Sequence, residues 1–213
     1  MVGYYPLDTD ISDYSGNNNN ATNDGSASPS TGIINGAYYF DGVNNYMETP
    51  IIFPSLGVDS TFSVSLWFNE DSGAWSWGAP FFLHFTGDPY YSFCGGFYAH
   101  ATDNKLYFGL GAANQGYSNI LSTNTFTSST WHQAVGVYTG GTVYLYVDGQ
   151  LQDQTPNVYT GADSLPMSFS IGGQDSVNLF HGSIDEVTIW NRALSGTDIT
   201  NLYNGGSGRS LIN

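Results

Sequence analysis

The chain has 213 residues, of which 18 are acidic and three are basic (Lys105, Arg192 and Arg209), giving a formal charge of -15. So negative a field repels phosphate backbones and anionic lipid, which excludes nucleic acid as a partner. Only 10% of residues are charged while 16% are aromatic, so the chain can bury enough apolar surface to fold and disorder is excluded as well.

In chain order, the opening Met1-Val2-Gly3-Tyr4-Tyr5-Pro6-Leu7 lacks the basic segment and apolar run of a secretory signal. The sequence has no apolar run long enough to cross a membrane, so no membrane insertion is expected. Cys94 is the single cysteine, which excludes an internal disulfide and a zinc site of several thiolates. Residues 15–32 are polar without an apolar period and are expected as a surface loop. Short strands are expected at 37–40 and 46–49. In residues 62–68, Phe62, Val64, Leu66 and Phe68 alternate with Ser63 and Ser65, the pattern of a half-buried antiparallel strand. A polar loop at 69–80 carries Trp75 and Trp77. Strands are expected at 81–85, 93–100 and 105–109, then at 131–137.

Residues 143–147 alternate aliphatic and tyrosine faces, and Asp148-Gly149 turns them back, a strong hairpin signal. The last strands fall at 167–171 and 183–190. Ser195, with Asp198 three residues later, reads as a helix N-cap, and Gly205-Gly206 as its stop. That helix is expected to plug an open end of the core. The fold class is all-β, an antiparallel β-sandwich jelly roll with one short C-terminal helical turn, built as a single domain over residues 1–213. The chain is expected to be part of a longer extracellular or cell- or virion-surface protein.

Six segments in order resemble the laminin G-like jelly rolls of the concanavalin A-like lectin and glucanase superfamily. They are Tyr4-Tyr5-Pro6-Leu7-Asp8 with Asp13-Tyr14-Ser15-Gly16-Asn17; Gly36-Ala37-Tyr38-Tyr39-Phe40-Asp41-Gly42 with Asn45-Tyr46-Met47; and Phe62-Ser63-Val64-Ser65-Leu66-Trp67. Trp131-His132 with Leu145-Tyr146-Val147-Asp148-Gly149, the run from Phe180 to Ser195, and Leu202-Tyr203-Asn204-Gly205-Gly206 complete the set. The resemblance implies the fold and leaves function open, because this fold hosts lectins, adhesion modules, hydrolases and lyases.

Period two places Asp185 on one face with Val187 and Ile189, and a buried carboxylate needs a partner. One reading is a structural Asp bonded to N–H groups or to Arg192. The other is a Ca²⁺ ligand, since calcium takes carboxylate and amide oxygens; the resemblance implies that reading, with Asp41, Asn44 and Asn45 as companions of Asp185. Asp148 is assigned to its turn. Trp75 and Trp77, with Tyr90, Tyr91 and Tyr117 in or beside other polar loops, are candidate ligand-binding aromatics that would stack on a sugar face. His84, His100, His132 and His181 show no metal-ligand spacing.

A glycosidase needs two carboxylates flanking the bond it breaks, and Glu48, Glu70 and Glu186 are not so spaced in sequence. A lyase for uronates needs cations that this chain scarcely has. The sequence therefore points to a non-catalytic, calcium-dependent or calcium-stabilised binding module, lectin-like, with a glycan as its ligand. A module this acidic is expected to prefer neutral sugars, or anionic ones only through a metal bridge. The alternative partner is a surface protein, for an adhesion or structural module of a surface fibre or viral particle. A glycan-active enzyme is the third reading.

Overall fold

The computed structural model of the chain describes residues 1–53, 60–72, 78–85, 93–100, 103–112, 116–156, 167–174 and 178–212. Its strands are β1 (Gly3–Tyr5), β2 (Thr22–Asp24), β3 (Ser28–Thr31), β4 (Gly36–Asp41), β5 (Tyr46–Phe53), β6 (Phe62–Glu70), β7 (Gly78–Phe85) and β8 (Phe93–His100). They continue with β9 (Lys105–Ala112), β10 (Gly116–Leu121), β11 (His132–Thr139), β12 (Thr142–Val147), β13 (Gln150–Pro156), β14 (Met167–Ile171) and β15 (His181–Trp190), before helix α1 (Gly196–Tyr203). One sheet has eight strands, in the order β13-β12-β11-β6-β15-β4-β3 with β1 added on β15; the other has seven, in the order β10-β9-β8-β7-β14-β5-β2. The jelly roll is as the sequence implies.

Alternation builds the core. Phe62, Val64, Leu66 and Phe68 of β6 face Phe97 and Ala99 of β8, Leu106, Phe108 and Leu110 of β9, and Phe169 and Ile171 of β14 across the sandwich, all buried in one cluster. Gly136 of β11 admits the Phe108 ring so closely that an added Cβ would collide with it, so the packing at this point requires glycine.

Two expectations change. Residues 15–32 are not all loop, because β2 and β3 lie there, each the last strand of its sheet. Their mostly exposed side chains carry no apolar period; an edge strand is held by its backbone bonds on one side, and Pro29 is tolerated there. The helix does not plug an end of the sandwich. It lies on the outer face of the eight-stranded sheet, where Leu194 and Ile199 bury Val135, Val137 and Trp190 in a second apolar cluster. Ser195 caps it through the expected box with Asp198. Trp67 stacks on Tyr203 with ring centroids 5.7 Å apart, which fixes the helix end to the sheet.

Candidate functional site

The two sheets present their outer faces differently. On the eight-stranded sheet, Asp185 and Glu186 are both buried. Ile184, Val187 and Ile189 belong to the core, while the ladder with β6 slips between Asp185 and Thr188 and Glu186 takes a left-handed φ of 53°. This bulge removes Asp185 from the row of Val187 and Ile189 and corrects the period-two expectation.

Asp185 Oδ2 accepts the backbone N–H groups of Ile33 (2.9 Å) and Ile34 (3.1 Å). Arg192, the cation expected beside it, instead donates to Asp198 at 3.0 Å. Tyr4 donates to Glu186 Oε2 at 2.7 Å, and the same hydroxyl accepts Leu211 N–H at 3.0 Å. Asp185 Oδ1 and Glu186 Oε1 have no hydrogen-bond partner. Burial pushes the Asp185 carboxyl up to about 8 and, with Asp8 nearby, the Glu186 carboxyl up to about 7.

The residues expected to share a calcium ion do not meet. Asp41 Oδ1 accepts Val43 N–H and Asn44 N–H, and Asn45 Oδ1 accepts Asp41 N–H at 2.9 Å; this is a self-contained turn around Gly42, whose φ is 71°. Asp41 lies opposite His181 in the ladder of β4 and β15. Asp185 is further along β15, about 13 Å away at roughly 3.3 Å per residue. Oxygens around one calcium lie about 2.3–2.6 Å from the ion, so Asp41, Asn44 and Asn45 do not form one site with Asp185. Among the described residues, no group of three or more His, Cys, Asp or Glu converges as a metal site.

Of the aromatic candidates, Trp75, Trp77, Tyr90 and Tyr91 lie outside the described residues, and of Tyr117 only the backbone is described, in β10 opposite Gly111.

The outer face of the seven-stranded sheet carries a cluster of which only His100 is singled out from the sequence, and that without a role. Tyr98 of β8 pairs across the ladder with Tyr107 of β9, and His100 pairs with Lys105. Their neighbours Phe97, Ala99, Leu106 and Phe108 take the core face, so period two sends these four outward. In the turn between the strands, Asp103 binds both: His100 Nδ1 lies 2.9 Å from Oδ1, and the Tyr107 hydroxyl donates to Oδ2 at 3.0 Å. Lys105 N–H also donates to Oδ1.

Burial alone would raise the Asp103 carboxyl, but the bonds from His100, Tyr107 and Lys105 N–H outweigh it and hold it below its ordinary value. The ionised carboxylate thereby fixes His100 as the donor through Nδ1. The next residues in these two rows, Gly96 and Gly109, are paired and add no side chain; both are buried, as is Tyr98, which packs on Ala79 with Tyr107 half-buried beside it. Gly78 of β7 pairs with Ala99, the neighbour of His100 in β8. His-x-x-Asp-Asn at 100–104, between two alternating strands, is the sequence signal that would have exposed this cluster.

The charge states separate binding from acid–base chemistry. Asp103 is held ionised, whereas a general acid needs a raised value. The carboxyls that are raised, Glu70, Asp185 and Glu186, are buried. Glu70 ends the core-facing row of β6, neither of its carboxylate oxygens has a partner, and burial and Asp71 push it up to about 7. Buried at these positions, none of the three lines the outer face that bears Asp103. His132 and His181 are engaged elsewhere, His132 with Asp148 at 2.7 Å and His181 with Tyr39 at 2.9 Å.

The laminin G-like family model of the concanavalin A-like lectin/glucanases superfamily matches residues 41–200. The chain belongs to this superfamily. No curated protein sequence matches it. Among solved structures, it is similar to domain 4 of AbnA, a GH43 extracellular arabinanase from Geobacillus stearothermophilus, in complex with arabinotriose. The identity is 21% and the TM-score 0.71, over 94% of this chain and 96% of that one. The binding domain of Paraclostridial Mosquitocidal Protein 1 is similar at 20% identity and TM-score 0.70, over 96% of this chain and 52% of that one. The binding domain of botulinum neurotoxin DC in complex with SialylT follows at 13% identity and TM-score 0.66, over 96% and 50%. The chain thus spans about half of each toxin binding domain. At these identities the likeness establishes the jelly roll and nothing finer.

Proposed function

We propose that the chain is a non-catalytic carbohydrate-binding module of an extracellular or surface protein, and that its ligand lies on the outer face of the seven-stranded sheet. The observation that carries this reading is the His100–Asp103–Tyr107 cluster beside Tyr98. It is a preorganised set of polar groups with the half-buried Tyr107 ring at its edge, the mixture that binds sugar hydroxyls and the apolar sugar face together. Trp75 and Trp77 stay proposed as stacking residues on the chemistry of their side chains alone. Two of the similar structures are complexes with arabinotriose and SialylT, which supports a glycan over a protein ligand. The similar proteins, an extracellular arabinanase and toxin binding domains, support placement outside the cell. No described helix is long and apolar enough to cross a membrane.

The test is a glycan array followed by calorimetric titration of each hit against the chain and its Tyr107→Ala and His100→Ala variants. Binding of a neutral oligosaccharide that both variants weaken is the expected result. Binding that neither variant alters would move the ligand off this face. An array without hits would shift the reading to protein adhesion, and release of reducing ends from any bound glycan would make the chain an enzyme.

A further inference from the structure

The charge of -15 suggests a module closed to anions, yet the few cations are not scattered. Two of the three, Arg192 and Arg209, line one pocket of 240 Å³ together with Trp190, Leu194, Asp198, Asn201, Leu202 and Leu211. It lies between helix α1 and the C-terminal segment, on the outer face of the eight-stranded sheet and so on the opposite side of the sandwich from His100 and Tyr107. We infer that this pocket is a second binding site, specific for a carboxylate-bearing monosaccharide such as a hexuronate.

The charges within the pocket decide its sign. Asp198 is already committed, because its Oδ2 accepts Arg192 Nη1 at 3.0 Å, Ser195 N–H at 2.9 Å and the Ser195 hydroxyl at 2.8 Å. The Arg192 bond, with those from Ser195, holds the Asp198 carboxyl far below the ordinary carboxylate range. Asp198 therefore balances Arg192 and takes no bond from Arg209. Arg209 also borders the small cavity that holds Glu186, but Glu186 gives its Oε2 to Tyr4, and Arg209 forms no hydrogen bond or ion pair among the described residues. An exposed guanidinium with its donors unused, in a chain this acidic, is an open fork for a carboxylate.

The remaining walls give the rest of the ligand. Trp190, Leu194, Leu202 and Leu211 are an apolar surface for the C–H face of a ring, and the Asn201 amide can both donate to and accept from hydroxyls. The volume falls below the ~300–1,000 Å³ of drug-sized sites, which suits one sugar ring rather than a chain of them. Such a site would take an anionic sugar without the metal bridge that the sequence suggests. It stands independently of the glycan surface on the other sheet.

The experiment is an NMR titration of the chain with sodium D-glucuronate, with D-glucose as the uncharged match and a triglutamate peptide as the protein-like acid. Glucuronate is expected to shift the Trp190 indole N–H and the Asn201 and Arg209 amides saturably, more weakly as salt is raised, and to leave Tyr98 and Tyr107 unmoved. Arg209→Gln should raise the dissociation constant about tenfold or more, the loss typical of a charge-assisted hydrogen bond, with unchanged melting temperature because Arg209 is exposed and unpaired. Arg209→Lys should recover part of the binding. Equal shifts with glucose, or no change in Arg209→Gln, would overturn the site. Shifts with triglutamate and none with glucuronate would overturn its sugar specificity.

Discussion

The two outer faces of this sandwich are built from the same alternating strands and finish in opposite ways. The eight-stranded sheet is roofed by the chain itself: α1 covers Val135, Val137 and Trp190, and the C-terminal segment reaches Tyr4 through Leu211. Under that roof lie carboxyls whose values burial has raised. On the seven-stranded sheet, Asp103 lies in a turn at the surface and is held ionised by its donors. The difference teaches that an acidic residue on a strand face means packing or binding according to what lies above it. The Arg209 pocket sits within the roof of the eight-stranded sheet, between α1 and the C-terminal segment.

The sharpest way to break this contrast is to remove the roof. Trp67, nearly fully buried and stacked on Tyr203, becomes a cavity in Trp67→Ala. That change is expected to cost about 3–5 kcal/mol, measurable in urea unfolding. Tyr107→Ala, on the open face, should cost far less stability while losing glycan. Comparable stability losses for both would erase the distinction between the faces.

The next test is pH. Asp185, Glu186 and Glu70 have raised values when folded, so the native chain binds more protons than the unfolded one between the ordinary carboxylate range and about 8. Their stabilisation is full below the ordinary range and is lost as pH rises through the folded values. The opposite group, Asp13, Asp103 and Asp198, is lowered, and its contribution is lost only as pH falls below the ordinary range. Unfolding free energy should therefore be larger at about pH 5.5 than at about pH 8.5, by on the order of 2 kcal/mol for each buried carboxyl, and the melting temperature higher with it. Glu70→Gln should flatten the dependence by its share. A melting temperature that rises with pH across that window would refute the buried-acid account.

A smaller effect sharpens the open face. Tyr107→Phe removes one hydrogen bond to Asp103 and keeps the ring, so titration of a bound glycan should show a loss of about 1 kcal/mol in affinity. Unaltered affinity would mean the ring alone matters there. The smallest expected effect is that of a chelator. Because Asp41 closes its own turn and Asp185 is bonded to Ile33 and Ile34, melting in EDTA and in millimolar calcium should coincide. A higher melting temperature with calcium would restore a native-state ion.

Much of this was legible in the sequence. The alternation in β6, β11 and β12, the Asp148-Gly149 turn and the Ser195 cap depend on neighbours a few residues apart and formed as read, except that β6 is not half-buried: Ser63, Ser65 and Trp67 are buried as well, because the chain covers that face of the sheet. The edge strands β2 and β3 were not legible, because backbone pairing leaves no mark on exposed side chains. Nor was the face of Asp185, since one bulge residue, Glu186, reverses the parity of everything beyond it.

The sequence by itself therefore determined the jelly roll and the negative field. Local periodicity and composition are properties of the chain whether or not it has folded. Only the tertiary structure decided where charge and aromatics meet. Asp41 and Asp185 fell apart on one ladder, His100, Asp103 and Tyr107 closed across a turn, and Arg192 and Arg209 came to one pocket. Those distances are set by strand register and by what covers each face, and both arise only when distant segments pack.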